Sequence, residues 1–557
     1  MASAVTATQM SLTQTDLGLF KAVYSAWQQC ARRKRSTSHA QRFELNLLEH
    51  LVDISCNLKQ ANWHPAPPVS FILKQSKARQ IHAAEFYDRV VHHYLVAPLS
   101  LIYEPIFIHD LFSNRRGRGT HGAKQRLTKF MRQLRSAERA KAAVHKCQAL
   151  PGHYLQLDIK NFFNCIDKAI LFKLLQQRLA RAVRNKKLDS VLAAHYRDLC
   201  HTILKQDVAA EAIQISPKHQ LNRVPAHKRL GYAGPSKGLA IGNLSSQFFA
   251  NVYMNELDQF IKHQLKCKHY LRYVDDFVLL HQDPAQLVIW RNQIQHFLSE
   301  QLALNLRDQG KIAPVSNGID FLGYIIRPDY SLVRRRVVNN LQKKLRLWQA
   351  QHIKGSAKAG WRLSCTAEHF AVLAATLASY QGHFKHAKHF RLLHAIAYKK
   401  FPWLLLLFDF QPSAGHSSSC LFKPAIAPGP VNSYQGQCQW FARRFTNASI
   451  SVQKGYKTEQ ITAIGLASNA KQKSAPWPHL INTFKQADNT FKRTYTSQPT
   501  FNDSVKTLRE SVSWVRVREH GYLKNGLKKR VIAELQINPG AALISAHIQN
   551  NSTNSSN

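Results

Sequence analysis

Acidic residues are scarce in this 557-residue chain, where 32 Asp and Glu stand against 77 Lys and Arg for a formal charge of +45. Solubility needs far less, so an extended polyanion is the natural partner, nucleic acid before any other; general adhesion to anionic surfaces is the blander alternative. Cysteine is sparse and unpaired: nine residues, an odd number with no C-x-x-C, which argues against both a zinc site and a disulfide framework. Long apolar runs are missing too. Nothing approaches the roughly twenty residues that cross a bilayer, and FPWLLLLFDF (401–410) is too short to do so. The start MASAVTATQMSLTQTD lacks a basic stretch followed by an apolar one. A reducing cytoplasm, with no membrane partner, is the expected setting.

What is present is a globular composition, 45% hydrophobic. Residues 17–60 carry helical periodicity, with ARRKRS (31–36) a solvated basic cluster between two amphipathic stretches. From about 70 to 410 apolar periodicity is dense and only short polar breaks interrupt it, which predicts one core. QPSAGHSSSCLFKPAIAPGPV (411–431) is rich in Pro, Ser and Gly and predicts an extended connector. Beyond it, ASISVQKGY and SVSWVRVREHGY are β-like and flank the helix-like HLINTFKQADNTFKRTY, a small α/β domain over 432–540. The polar tail, 541–557, is expected to be disordered.

The chemistry lies in three carboxylates. In HYLQLDIKNFF (153–163), Leu155, Leu157 and Ile159 alternate with Tyr154, Gln156 and Asp158, a period-2 strand that delivers an acid at its end. KHYLRYVDDFVLLH (268–281) sets Asp275 and Asp276 between two apolar β-rich runs, which predicts a hairpin with the acids at the bend, although Asn-Gly is missing. Adjacent carboxylates between apolar strands repel one another and lose hydration, a cost that a purely structural turn avoids by using Asn or Gly. A divalent cation removes that cost. A few oxygen ligands with room for phosphates suit Mg²⁺, and two ions about 4 Å apart suit in-line displacement at phosphorus. Between the acidic strands, KGLAIGNLSSQFFANVYMNELDQFI (237–261) reads as a glycine loop around Gly238 and Gly242. A helix follows, capped by Ser245 or Ser246 and packed through one face.

The order of these parts, ending in FLGY (321–324), resembles the motif series of reverse transcriptases over about residues 70–400. IGNLSSQFFANVYMNELDQF with YVDDFVLL is most similar to those of diversity-generating retroelements and their bacterial relatives, including defence-associated enzymes. The resemblance implies an α+β right-hand polymerase with a ferredoxin-like antiparallel palm sheet. Its parts would be a helical extension (1–69), fingers (70–150), a palm (151–330) with a helical insert near 170–235, and a helical thumb (331–410). The linker, accessory domain and tail follow. WFARRFTNASISVQKGYKTEQI and WVRVREHGYLKNGLKKRV in the accessory region resemble, in a few residues, the DNA-contacting domain of MutS-like proteins.

Carried over by position, the resemblance makes Asp158, Asp275 and Asp276 the catalytic acids. They would ligate two Mg²⁺, with Mn²⁺ as a substitute, alongside Ile159. Tyr273 would lie beside the primer end, and Phe163 would be the sugar gate, its ring excluding a 2′-hydroxyl; next to it Phe162 reads as core. Arg79 would meet the incoming triphosphate, with Gly242 and Gln247 also at the nucleotide, and Lys311 falls where the family has a lysine that protonates pyrophosphate. Arg115, Arg116 and Arg118, the bend at Gly323, and Arg334, Arg335 and Arg336 would hold template and primer backbones. A surface charge or an ordinary amphipathic helix explains each basic group equally well in isolation. The implied partners are an RNA template, a DNA product, dNTPs, and a noncoding RNA and small basic accessory protein in a bacterial or phage-encoded system. Gln247 after Ser246, where many reverse transcriptases have Pro, is the diversity-generating pattern and there accompanies error-prone copying at adenines. Ile241 before Gly242 departs from the usual Gln.

Overall fold

The computed structural model describes residues 14–73, 78–144, 152–356, 360–412, 420–424, 449–454, 457–462, 512–520 and 530–537. The chain divides into two compact units, residues 1–322 with 326–329, and residues 323–325 with 330–557.

In the first unit, helices α1 (Gln14–Ala31), α2 (Ser38–Leu45) and α3 (Leu47–Lys59) occupy the stretch expected to be helical. Arg32, Arg33, Lys34 and Arg35 lie exposed in the turn after α1, as a solvated cluster should. Strands β1 (Val69–Leu73) and β2 (Arg79–Ala83) pair antiparallel, and α4 (Phe86–Tyr103) and α5 (Thr120–Val144) follow.

The sheet that positions the acids begins at β3 (His153–Asp158). Next come α6 (Lys168–Arg184) and α7 (Ser190–Lys205), begun by Asp167 and Asp189, whose carboxylates accept backbone N–H bonds at the helix starts. The two-residue strand β4 (Ile213–Gln214) joins β1 in parallel. Helix α8 (Leu244–Gln259) leads to β5 (His269–Tyr273) and β6 (Asp276–His281). Helix α9 (Pro284–Leu302), with Asp283 as its cap and Pro at its first position, leads to β7 (Lys311–Pro314). The strands stand in the order β5-β6-β3-β7, all neighbours antiparallel. With helices between β3 and β5 and between β6 and β7, this is the β-α-β-β-α-β arrangement of the expected palm sheet.

Phe277, Val278, Leu279 and Leu280 of β6 are all buried, so this central strand is covered on both faces, with α5 and α9 packed along it. Two expectations about α8 need correction. Its N-cap is Asn243, whose Oδ1 accepts from the Ala84 N–H at 3.1 Å. Ser245 and Ser246 instead lie buried, Ser245 Oγ within 3.1 Å of His92 Nδ1. Burial also goes nearly all round the helix, since Phe248, Phe249, Ala250 and Asn251 are consecutive and all enclosed. A helix between a sheet and other helices has no free face, which periodicity alone does not reveal. The unit also contains β8 (Ile319–Phe321).

The second unit contains Tyr324 and Ile325 of β9 (Tyr324–Ile326), β10 (Ser331–Val333), α10 (Arg335–His352), β11 (Ile353–Ser356), β12 (Gly360–Thr366) and α11 (Ala367–Phe384). Further along are β13 (Phe408–Pro412), β14 (Cys420–Pro424), β15 (Ser449–Lys454), β16 (Lys457–Thr462), β17 (Val512–His520) and β18 (Arg530–Ile537). The β-like stretches at 449 and 512 are strands, as expected. The stretch 331–410 is not all helical, because β11 and β12 belong to a six-stranded sheet ordered β11-β12-β18-β17-β15-β16. The connector also needs revision. β13 and β14 pair from Phe408↔Pro424 to Pro412↔Cys420, so residues 411–412 and 420–424 of the Pro- and Ser-rich stretch are ladder. HLINTFKQADNTFKRTY and the tail lie outside the described residues.

Candidate active site

Strand register brings the acids together. Asp158, the last residue of β3, stands opposite Asp276, the first of β6, which in turn stands opposite Tyr273, the last of β5. Val274 and Asp275 form the two-residue turn between β5 and β6, so both acids of the pair sit at the bend. Gln156, two residues before Asp158 on β3, donates from Nε2 to Asp276 Oδ1 at 3.1 Å and to the Asp320 carbonyl at 3.0 Å. Asp320, on β8, thus joins the cluster.

The electrostatics follow from this crowding. Burial, and then the negative charges of Asp158, Asp275 and Asp320, push the Asp276 carboxyl up to about 7, against the opposing Gln156 hydrogen bond. Burial also raises Asp275, while Arg307, Arg79 and Arg272 pull it back. Arg307 forms an ion pair with Asp158 Oδ2, and its backbone N–H donates to the Asp158 carbonyl at 2.8 Å.

The donor set consists of carboxylate oxygens, the chemistry that hard divalent cations take. A carboxyl raised to about 7 by burial and then by its acidic neighbours, and a guanidinium lying on Asp158, are what a site for positive charge looks like. Among the described residues, however, no three acid, His or Cys side chains already close around a metal-sized point. Asp158, Asp275 and Asp276 would hold Mg²⁺ or Mn²⁺ once Arg307 gives up its pairing. The Ile159 side chain is wholly buried and has no donor atom, so only its backbone carbonyl could serve as the expected ligand.

Several other expected residues gather nearby. Arg79 starts β2, exposed, and its charge reaches Asp275. Phe163 is half-buried, its ring centroid 5.3 Å from that of Phe162, which is core as expected, and its carbonyl accepts from the Leu239 N–H at 2.8 Å. Gly242 has φ +131, and a Cβ there would meet the His82 carbonyl oxygen at 3.1 Å. The neighbouring Ile241 carbonyl accepts from the His82 N–H at 3.0 Å. The glycine therefore lets the loop lie against β2, the strand that carries Arg79. Gln247 sits half-buried in the first turn of α8.

Others stand apart. Lys311 lies opposite Gln156 in the register, but its Nζ is 5.9 Å from the Tyr154 ring centroid, toward the far end of β3 from Asp158. Arg115, expected on the template, is engaged within its own loop: its guanidinium pairs with Glu104 at 2.6 Å and donates to the Ile108 and Leu111 carbonyls. Arg116 is exposed, and Arg118 lies over the Phe112 ring at 5.5 Å. Gly323 (φ +88) follows Leu322 (φ +51), so the expected bend is present. Arg334, Arg335 and Arg336 are exposed at the start of α10; they and Gly323 belong to the second unit.

Sequence reasoning missed Asp320, Arg307 and Gln156. Gln156 carried a signal, since the period-2 strand puts it on the face of Asp158. Asp320 stood out only as an acid inside the apolar IDFLGY, and nothing marked Arg307 among many basic residues.

Paired strands thus present three acids at one sheet end, with arginines beside them, a donor set suited to hard divalent cations. Residues 72–326 match the family model for reverse transcriptase (RNA-dependent DNA polymerase). Over that stretch the chain is similar to reverse transcriptases. Among solved structures it is similar to telomerase from Candida albicans in complex with a fragment of telomeric RNA, at 11% identity and TM-score 0.33, over 62% of this chain and 59% of that one. It is also similar to apo telomerase from Candida tropicalis, at 11% identity and TM-score 0.33, over 50% of this chain and 52% of that one. A C-terminally truncated form of that enzyme gives 10% identity and TM-score 0.32, over 51% and 60%. The chain thus spans between 52% and 60% of those telomerase chains. No curated protein matches it. Among the described residues no helix is long and apolar enough to cross a membrane.

Proposed function

We propose that this chain copies RNA into DNA, with Asp158, Asp275 and Asp276 as its catalytic acids in a right-hand polymerase architecture. The register that sets Asp158 against Asp276, one residue from Asp275, carries this reading. In the reaction the primer 3′-oxygen forms a bond to the α-phosphorus of a dNTP, and the bond from that phosphorus to the bridging oxygen of pyrophosphate breaks. Divalent ions held by the three acids supply charge neutralisation and a lowered hydroxyl pKa. Arg79, its charge felt at Asp275, binds triphosphate oxygens. Phe163, half-buried beside fully buried Phe162, has the ring and the exposure to exclude a 2′-hydroxyl.

Given an RNA template, a DNA primer, dNTPs and Mg²⁺, the purified protein should extend the primer, and Asp275→Asn with Asp276→Asn should bind the template–primer without extending it. Extension at the wild-type rate by that double variant would remove the assignment. A non-catalytic RNA-binding scaffold would tolerate damaged acids, and all three are intact here.

The finer reading is a diversity-generating retroelement enzyme that acts in mutagenic retrohoming with a small basic partner. Gln247 after Ser246 supports it. Antiphage defence with a dedicated noncoding RNA is the rival. Sequencing nucleic acid that co-purifies with the protein separates them: a variable-repeat template with adenine-directed changes in the cDNA supports the first, and one structured noncoding RNA copied without such changes supports the second.

A further inference from the structure

Val274 has φ +59, a left-handed backbone that β-branched residues avoid because Cβ crowds the carbonyl. This is the residue immediately before Asp275. A turn of ordinary sequence would place Gly or Asn there. Something else must keep valine in that conformation.

Both polar backbone groups of Val274 are gripped from outside the turn. Its N–H donates to Ser113 Oγ at 2.9 Å, and its carbonyl accepts from Arg272 Nη1 at 2.9 Å. Neither partner is free to drift. Arg272 is wholly buried, and its Nε and Nη2 donate to the two carboxylate oxygens of Asp258 at 2.8 and 2.6 Å. The Tyr270 hydroxyl donates to Asp258 at 2.6 Å. Ser113 is fixed by Asn251, whose Nδ2 donates to the Ser113 carbonyl at 2.9 Å and whose Oδ1 accepts from Ser113 Oγ at 3.3 Å. Asp258 and Asn251 lie one on each half of α8, the helix that follows the glycine loop.

A buried ion pair is a poor device for stability alone, because apolar residues of similar volume fill the same space without the desolvation cost. A guanidinium, however, can grip a carboxylate from two nitrogens in a planar fork and donate to a carbonyl from a third, a spread that the single nitrogen of lysine does not have.

We propose that Arg272 and Ser113, anchored on α8 by Asp258 and Asn251, are positioning residues that force Val274 into the left-handed conformation and so aim the carboxylates of Asp275 and Asp276. The proposal rests on the assignment of those two acids as catalytic. Without the grip, the valine relaxes to negative φ and the turn swings the acids out of line.

The test uses the full chain and compares Ser113→Ala in two backgrounds, Val274 and Val274→Gly, since glycine adopts positive φ unaided. With Val274 present, Ser113→Ala should lower kcat for primer extension by about tenfold to a hundredfold, the scale of a misplacement near 1 Å. Template–primer Kd should stay within about twofold, because uniform binding is untouched. In the Val274→Gly background the same substitution should change kcat by no more than about twofold, a non-additivity that a merely structural serine would not produce. Equal falls in both backgrounds, or no fall in the first, overturn the proposal. Should Ser113→Ala melt below the assay temperature, Arg272→Lys replaces it with the same two expectations, since it keeps a charge beside Asp258 but gives up the forked grip. If the double Asn variant of Asp275 and Asp276 extends normally, the assignment of the acids has failed. If that variant is inactive and Ser113→Ala is fully active, only the clamp has failed.

Discussion

Replacing Asp276 by Asn removes one negative charge from the cluster with Asp158, Asp275 and Asp320, and keeps the Oδ1 that accepts the 3.1 Å bond from Gln156. The carboxyl ionises near 7 in the fold, against an ordinary value of 3.8. As pH rises between those values the unfolded chain gives up this proton first. Ionisation therefore favours the unfolded state, and the metal-free protein loses stability over that window. At about 1.4 kcal/mol per pH unit, the gap sets a ceiling of roughly 4 kcal/mol. Side-chain relaxation and entry of water reduce it, so about 1–2 kcal/mol is the expected gain for Asp276→Asn at pH 8. In EDTA the variant should melt about 2–4 °C above the wild type at pH 8, with the difference vanishing near pH 4. Added Mg²⁺ should stabilise the wild type and raise the variant much less, because the ion binds the folded acids and the variant offers fewer. Primer extension should be lost. Differential scanning fluorimetry across pH, with and without Mg²⁺, reads all of this. A variant less stable than the wild type at pH 8 in EDTA, or one stabilised equally by Mg²⁺, would refute the picture of a strained anionic cluster relieved by a cation.

Phe163→Ala should raise rNTP incorporation relative to dNTP by at least about tenfold, measured in single-nucleotide extension; unchanged sugar selectivity would move the gate elsewhere. Arg307→Gln removes the cation that competes for Asp158, so the half-saturating Mg²⁺ concentration for extension should fall, by about fivefold if the exposed pair is worth about 1 kcal/mol. A higher Mg²⁺ requirement would instead make Arg307 a helper of ion binding. Arg115→Ala should destabilise the first unit by about 1–3 kcal/mol through the loss of its bonds to Glu104 and two carbonyls. Its effect on the RNA Kd of the folded protein should be under about twofold, whereas exposed Arg116→Ala should weaken binding and lower its salt dependence.

Local alternation was enough to find Asp158, and two acids between apolar runs were enough to find the hairpin, because each signal is contained within about ten residues of chain. The charge imbalance and the ordered motifs then pointed to nucleic acid and to the reverse transcriptase family. Tertiary structure alone decided which groups stand around those acids. Asp320 and Arg307 reach the cluster from separate strands and loops, Arg272 meets Asp258 of α8 and Val274 meets Ser113 only in the folded chain, and Arg115 turned inward because Glu104 was within reach. Residues 411–412 and 420–424 of the Pro- and Ser-rich connector likewise became paired strand. A side chain's own identity sets what bonds it can make. Which bonds it does make depends on partners that only folding brings near, and no periodicity in the sequence records them.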